Sequence, residues 1–294
     1  MVHANPLADA TPTDAEDVEL ARLAQSGSKD ALESLVTRHQ RWIFNIALRM
    51  LGHPQNAEDA TQEILVKVIT HLSTFRGESL FRTWMYRVAA NHLLNVKRTV
   101  RRDEPWTFDE YRRELHGIAD AELPDAGAVS ADVRLYVQEA RIGCSSGMLL
   151  CLDAEQRLVY VLGAIFGVSD RVGAELLEIS RENFRQKLTR ARRDLRSFMD
   201  DECGLVKTSN PCRCAKKTQG FINAGYVDAR TLLFARDHFV RVRELAESRS
   251  DAIDAIDAEY AEIHRGHPFQ QSPDFLTSLR KLIQDSELCS LPKA

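Results

Sequence analysis

Aromatic side chains are scarce in this 294-residue chain, at 7% of positions, and no long stretch alternates apolar and polar residues as a half-buried strand does. Both absences disfavour a β-sandwich or barrel and point to an all-α chain. Long apolar runs are missing too: the most apolar one, residues 158–168, falls far short of the ~20 residues that span a bilayer. The N-terminus has no basic segment leading into an apolar core, so a cytoplasmic protein with no membrane partner is expected. There is no phosphate-binding loop, nucleophile elbow, HExxH pair or Gly-rich dinucleotide fingerprint. The chain is therefore not expected to be an enzyme. No fixed-period repeat runs along it.

What is present is enough apolar material, 44% of residues, for several small cores. The length suggests two or three domains. The net charge of −4 would by itself speak against nucleic acid, but the charge is segregated. Acids collect near the N-terminus (Asp9, Asp14, Glu16, Asp17, Glu19), and bases collect at 97–102 and 185–196. A local basic patch, not the average, is the footprint of a DNA binder.

Periodicity and caps divide the chain further. Residues 1–13 read as a disordered arm. Residues 14–102 carry helical patterns from Asp14 to Gln25, through Leu35, Ile43 and Met50, then beyond Asn56 (taken as an N-cap), and from Phe81 to about Arg102. Residues 103–130 are acidic and broken by Pro105, Pro124 and Gly127, a flexible linker with room for a short helix near 108–115. In 131–200, Asp153, Ser169 and Ser180 each stand before an apolar pattern, and the last two frame a short helix, a tight turn and a longer helix. That is the grammar of a helix-turn-helix. Residues 201–294 hold a cysteine cluster and then helical patterns at 228–248, 251–264 and 273–285. The fold class is thus two small helical domains, a flexible linker and a helical C-terminal extension.

Two blocks carry the chemistry. The sequence NAEDATQE at 56–63 is followed by FRGESLFRTWMYRVAAN at 75–91, and LDAEQR at 152–157, GVS at 167–169 and LTRAR at 188–192 come later. The first pair strongly resembles region 2, and the second set region 4, of the extracytoplasmic-function group of bacterial sigma factors. Their order and spacing match, with no region 3 between them. The resemblance covers roughly 15–102 and 131–200. It implies a non-catalytic subunit that needs no cofactor, binds core RNA polymerase and promoter DNA, and initiates transcription.

The resemblance assigns roles residue by residue. Asp59, Gln62 and Glu63, on one polar helix face, are implied to meet core polymerase. The loop Arg76, Gly77, Glu78, Ser79 and Leu80 is implied to take a flipped −10 base, with Asn91 reading a base edge. Extrusion costs a few kcal/mol of stacking, which hydrogen bonds and an aromatic surface can recover. Arg82, Arg87, Lys97 and Arg98 are implied to hold phosphates, and Trp84 serves either core packing or base stacking. For the −35 element, Ser180 caps the recognition helix, and Arg181, Arg185, Gln186, Lys187 and Arg190 lie on or near its reading face. Glu182, Asn183 and Phe184 depart from the family's usual small residue, Thr and aliphatic, so the promoter sequence does not carry over.

Cys203, Cys212 and Cys214 stand outside this pattern. Three thiols in so short a span suit zinc, with the fourth ligand open among His238, His264, His267 and Cys289. Lys216 and Lys217 also allow a redox-active thiol, and buried apolar cysteines are a third reading. The extension itself reads as an intramolecular regulator, alongside or in place of a separate anti-sigma protein. The alternative for the whole chain is a metal- or redox-sensing helix-turn-helix regulator without sigma activity.

Overall fold

The computed structural model describes residues 6–8, 14–96, 106–121, 131–230, 232–234, 263–265 and 269–285. Among these residues all regular structure is helical, apart from one isolated bridge between Cys203 and Cys212. By its contacts the chain divides into two compact units. One comprises Met1–Lys97, Gly167–Phe184 and Gln271–Ala294; the other comprises Arg98–Phe166 and Arg185–Gln270.

In the first unit, α1 (Asp14–Gln25) opens on acids that suit its positive N-terminal dipole. Helix α2 (Lys29–Leu51) starts where the Ser28 hydroxyl accepts the Ala31 N–H, and it stops at Gly52, whose left-handed backbone closes the last turn onto the Leu48 carbonyl. Helix α3 (Pro54–Thr70) begins earlier than an Asn56 cap would allow. Pro54 has no N–H to leave orphaned and its φ is already helical, while the His53 ring accepts the Gln55 N–H. Helix α4 (Phe81–Asn95) follows a short 3-10 turn at Leu72–Thr74. Ile43, Ala47, Ile64, Leu65, Phe81 and Met85 are buried and form the core of these helices. A buried carboxylate, Asp17, takes His39 at 3.1 Å and also pairs with Arg38, which ties α1 to α2.

The segment read as a disordered arm contributes to this core. Leu7 is 1% exposed, because burying an aliphatic side chain offsets the entropy of ordering a short stretch. Helix α8 (Asp170–Leu177) belongs to the same unit, capped by the Ser169 hydroxyl on the Val172 N–H. It ends at Glu178, held at φ 55. Phe184 is buried against Gly173, where an added Cβ would lie 2.3 Å from the ring, so only glycine fits. The contacts therefore do not follow the boundaries 14–102 and 131–200: α8 groups with α1–α4 because it packs on α4. Helix α11 (Phe275–Asp285), from the C-terminal extension, also belongs here and rests on α2. Phe275 meets Phe44 at 6.3 Å between ring centroids, and Arg280 grips the Glu33 carboxylate through two nitrogens, one at 2.6 Å.

The second unit is built from α5 (Phe108–Gly117), α6 (Ala131–Leu150), α7 (Ala154–Tyr160), α9 (Arg181–Glu202) beyond its first turn, and α10 (Cys214–Asn223). Helix α7 runs on into a π turn at Val161–Ile165. Within 103–130, read as a flexible linker with room for a short helix near 108–115, that helix forms as α5 and packs into this unit's core. Thr107 and Glu110 form a reciprocal capping box, and Tyr111, Leu115 and Ile118 are buried in the core with Leu149, Tyr160, Leu195 and Phe198. Arg157 is buried too, and its guanidinium donates to the carbonyls of Leu149, Leu150 and Leu152, closing the end of α6.

Two expectations for the extension change. Helix α10 was not anticipated, and the described residues 228–230 and 232–234 are not helical. The remainder of 228–248, and the start of 251–264, lie outside the described residues, as do 97–105 at the expected end of α4.

Candidate nucleic-acid and polymerase interface

The site begins at the turn before α4. Phe75 is buried and meets Phe81 edge-on at 5.3 Å. Gln25 of α1 donates its amide to the carbonyls of Leu72 and Phe75, at 2.9 and 2.8 Å, and so fixes the stem of the loop. Above that stem Arg76, Gly77, Glu78 and Leu80 are exposed and Ser79 is half-buried. Gly77 has φ +75, and an added Cβ would meet nothing within 4 Å. Glycine is needed there for its backbone dihedral, not for close approach. A rigid stem under an exposed polar backbone is what an extruded base needs: groups ready to bond, already ordered.

Trp84 is half-buried, 5.8 Å from Phe75 and 5.6 Å from Phe81. Its ring packs the loop stem and is only partly covered. Asn91 is exposed two helical turns further along α4.

Arg82 is not a phosphate contact in this structure. It is 2% exposed, pairs with Asp14 at 2.8 Å, and donates to the Pro6 carbonyl at 2.7 Å and to that of Ala8. The resemblance implied a phosphate role, whereas its partners come from far upstream in the same chain. Arg87 is half-buried and engaged with α8, donating to the Glu175 carbonyl at 3.0 Å and pairing with Glu178 at 3.2 Å. Lys97 and Arg98 lie outside the described residues.

On α3, Asp59 and Glu63 are exposed and Gln62 is half-buried, in one row along the helix. Glu63 lies 3.8 Å from the ring of His92 on α4, and Lys67 approaches the other ring nitrogen at 2.8 Å. Burial, then the Lys67 charge, lowers the His92 pKa, and Glu63 opposes them. His92 therefore belongs to this face, although only its contacts reveal it.

In the helix-turn-helix, Ser180 accepts the Asn183 N–H at 3.1 Å. Arg181, Arg185, Gln186 and Arg190 are exposed. Lys187 is held by Glu155 at 2.6 Å, so it reaches a base or phosphate only by leaving that carboxylate. Of the cysteine cluster, Cys203, Cys212 and Cys214 line one small cavity. His264 does not join them: it is buried edge-on to Tyr160 at 5.6 Å. His238, His267 and Cys289 lie outside the described residues.

The Sigma-70 region 2 family model matches residues 35–103, which include the loop and α4. The chain is also 30% identical over 200 residues to RNA polymerase sigma factor CnrH of Cupriavidus metallidurans, spanning 64% of this chain and 96% of that protein. The chain belongs to the extracytoplasmic-function group of sigma-70 factors. Further relatives include the RNA polymerase sigma-H factor of Pseudomonas aeruginosa, 27% identical over 185 residues and covering 61% of this sigma factor and 92% of the relative. SigW of Bacillus subtilis is 27% identical over 184 residues, 60% and 93% of the two chains. A solved structure of CnrH in complex with the cytosolic domain of CnrY aligns with a TM-score of 0.44 at 28% identity, covering 64% of this chain and 98% of that one. More than a third of this sigma factor falls outside the CnrH alignment. Among its described residues no helix is long and apolar enough to cross a membrane.

Proposed function

We propose that this sigma factor joins core RNA polymerase through the Asp59, Gln62 and Glu63 face, opens the −10 element with the loop 76–80 and Asn91, and finds the −35 element with Ser180, Arg181, Arg185, Gln186, Lys187 and Arg190. The observation that carries this reading is the loop: it is exposed, left-handed at Gly77, and anchored from below by Gln25 and the Phe75–Phe81–Trp84 cluster. The catalytic chemistry stays with polymerase, and the sigma subunit acts by binding.

The C-terminal extension regulates in cis. Helix α11 lies on α2 through Phe275 and Arg280, within the unit that carries the −10 loop and the polymerase-binding face. A separate anti-sigma protein is a second candidate regulator on the family likeness. Run-off transcription with reconstituted core enzyme tests both parts. Full-length protein is expected to support promoter-specific transcripts, and a chain shortened to remove α11 is expected to give more of them. No transcript from any genomic promoter, with core binding also absent, would favour the non-sigma regulator.

A further inference from the structure

The structure supplies a fourth thiol for the cysteine cluster, and from a place that spacing did not suggest. Cys144, on α6, lines the same cavity as Cys203, Cys212 and Cys214. The cavity measures about 20 Å³, enough for a single small occupant. Its remaining wall mixes apolar side chains, Leu115, Met148 and Phe198 among them, with Arg141, Ser145 and Glu202.

The loop that brings the other three thiols together is built by specific bonds. Cys203 and Cys212 stand side by side in a parallel bridge, with the Gly204 N–H on the Cys212 carbonyl at 3.1 Å and the Cys212 N–H on the Glu202 carbonyl at 3.2 Å. Glycine is required at 204, since a Cβ there would fall 2.3 Å from the Cys212 carbonyl oxygen. The Asn210 amide donates to the carbonyls of Met199, Asp200 and Cys203 and pins the loop to the end of α9. Cys214 is the first residue of α10.

We propose that Cys144, Cys203, Cys212 and Cys214 form a closed four-sulfur site for a thiophilic divalent cation of the zinc class, fastening α10 and its loop to α6. Four sulfur donors suit tetrahedral zinc with Zn–S of about 2.3 Å. Among the described residues no three His, Cys, Asp or Glu side chains are arranged as they stand to hold a metal ion. Loading therefore requires the four thiols to draw closer together than they stand. Loading breaks four S–H bonds, forms four Zn–S bonds and passes four protons to solvent. The resulting double negative charge faces Arg141, which also lines the cavity. The Tyr111 hydroxyl, donating to the Cys144 carbonyl at 2.8 Å and lying 3.4 Å from its sulfur, supplies an outer hydrogen bond. The site stands on its own geometry and does not depend on the sigma reading.

The test uses the full-length chain, reduced and freed of metal with a chelator, then titrated with Zn²⁺ against a chromophoric competitor. One zinc per chain is expected, with the four site thiols protected from alkylation. Cys144→Ser should weaken zinc by more than the 10- to 100-fold that losing an outer-shell partner costs. Cys151→Ser should leave it unchanged, since the Cys151 thiol bonds the Gly147 carbonyl and does not line the cavity. Should Cys144→Ser fail to fold, Co²⁺ loaded into the unaltered chain and into Cys214→Ser decides the matter. Tetrathiolate charge-transfer bands that weaken in the variant support the site, and identical spectra overturn it. Substoichiometric zinc, affinity indifferent to Cys144→Ser, or a Cys203–Cys212 disulfide that zinc does not prevent would each overturn it as well.

Discussion

Replacing Arg82 with methionine keeps the length of the side chain and removes its charge and five donors. In the structure those donors serve the Asp14 carboxylate and the carbonyls of Pro6 and Ala8, in a place that is 2% exposed. The Asp14 side chain is itself 19% exposed, so the substitution takes a charged partner from a mostly buried carboxylate. Hydrogen bonds to charged groups contribute about 1.5–3 kcal/mol each, and breaking a buried ion pair costs about 3–5 kcal/mol. A loss of about 3 kcal/mol, the lower end of the ion-pair figure alone, is the conservative expectation, because Asp14 retains some solvent. With a urea slope of about 2 kcal/mol/M, the unfolding midpoint should fall by roughly 1.5 M. Arg76→Met is the matched comparison: Arg76 is exposed on the loop, so its midpoint should not move, while binding to single-stranded −10 DNA should weaken. An Arg82→Met protein that unfolds at the same urea concentration as the parent, yet loses −10 binding, would refute the placement of Arg82 and restore it as a phosphate contact.

The other expectations are narrower. Gly77→Ala places a Cβ in the left-handed region at a cost of about 1 kcal/mol, with no clash to add, so urea melts should show a small loss and run-off transcription a larger one, with Gly77→Asn milder in both. Phe275→Ala removes a buried ring, on the order of 3 kcal/mol at a core site, which should undock α11; hydrogen exchange should rise in α11 while α3 and α4 stay protected, and transcription should increase. His92 has a pKa below the usual 6.5 in the folded chain, so the unfolded chain binds the extra proton first. Its contribution is fully present above about pH 6.5 and is lost as pH falls through the lowered value. Urea melts across that window should show this slope, and His92→Gln should flatten it.

The elements written in local chemistry were legible in the sequence. Helices α1 and α8 fall where periodicity and the Ser169 cap put them, and a non-helical loop stands at 76–80 before α4. What escaped depends on partners distant along the chain. Arg82 reads as a surface cation until the carbonyls of Pro6 and Ala8 are brought to it. Helix α10 reads as polar because Lys217 lies within it, yet Lys217 is buried, donating to the Ile118 carbonyl and pairing with Asp120 at 2.9 Å. Gly220 weakens the helical pattern for a tertiary reason as well, since a Cβ there would strike Ile118 and the Ala119 carbonyl. Cys144 joins the cysteine cluster through packing of α6 and leaves no trace in the spacing of the other three.

The seat of α11 on α2 also sets an order in time. Residues 96–274 are synthesised between the end of α4 and the start of α11. At about 5–20 residues per second, that interval lasts roughly ten to forty seconds. Helices α1 to α4 can fold and display Asp59, Glu63 and the 76–80 loop throughout it, before Phe275 and Arg280 exist to cover α2. Each new molecule therefore passes through an uncovered stage while still on the ribosome, and the covered state is reached last.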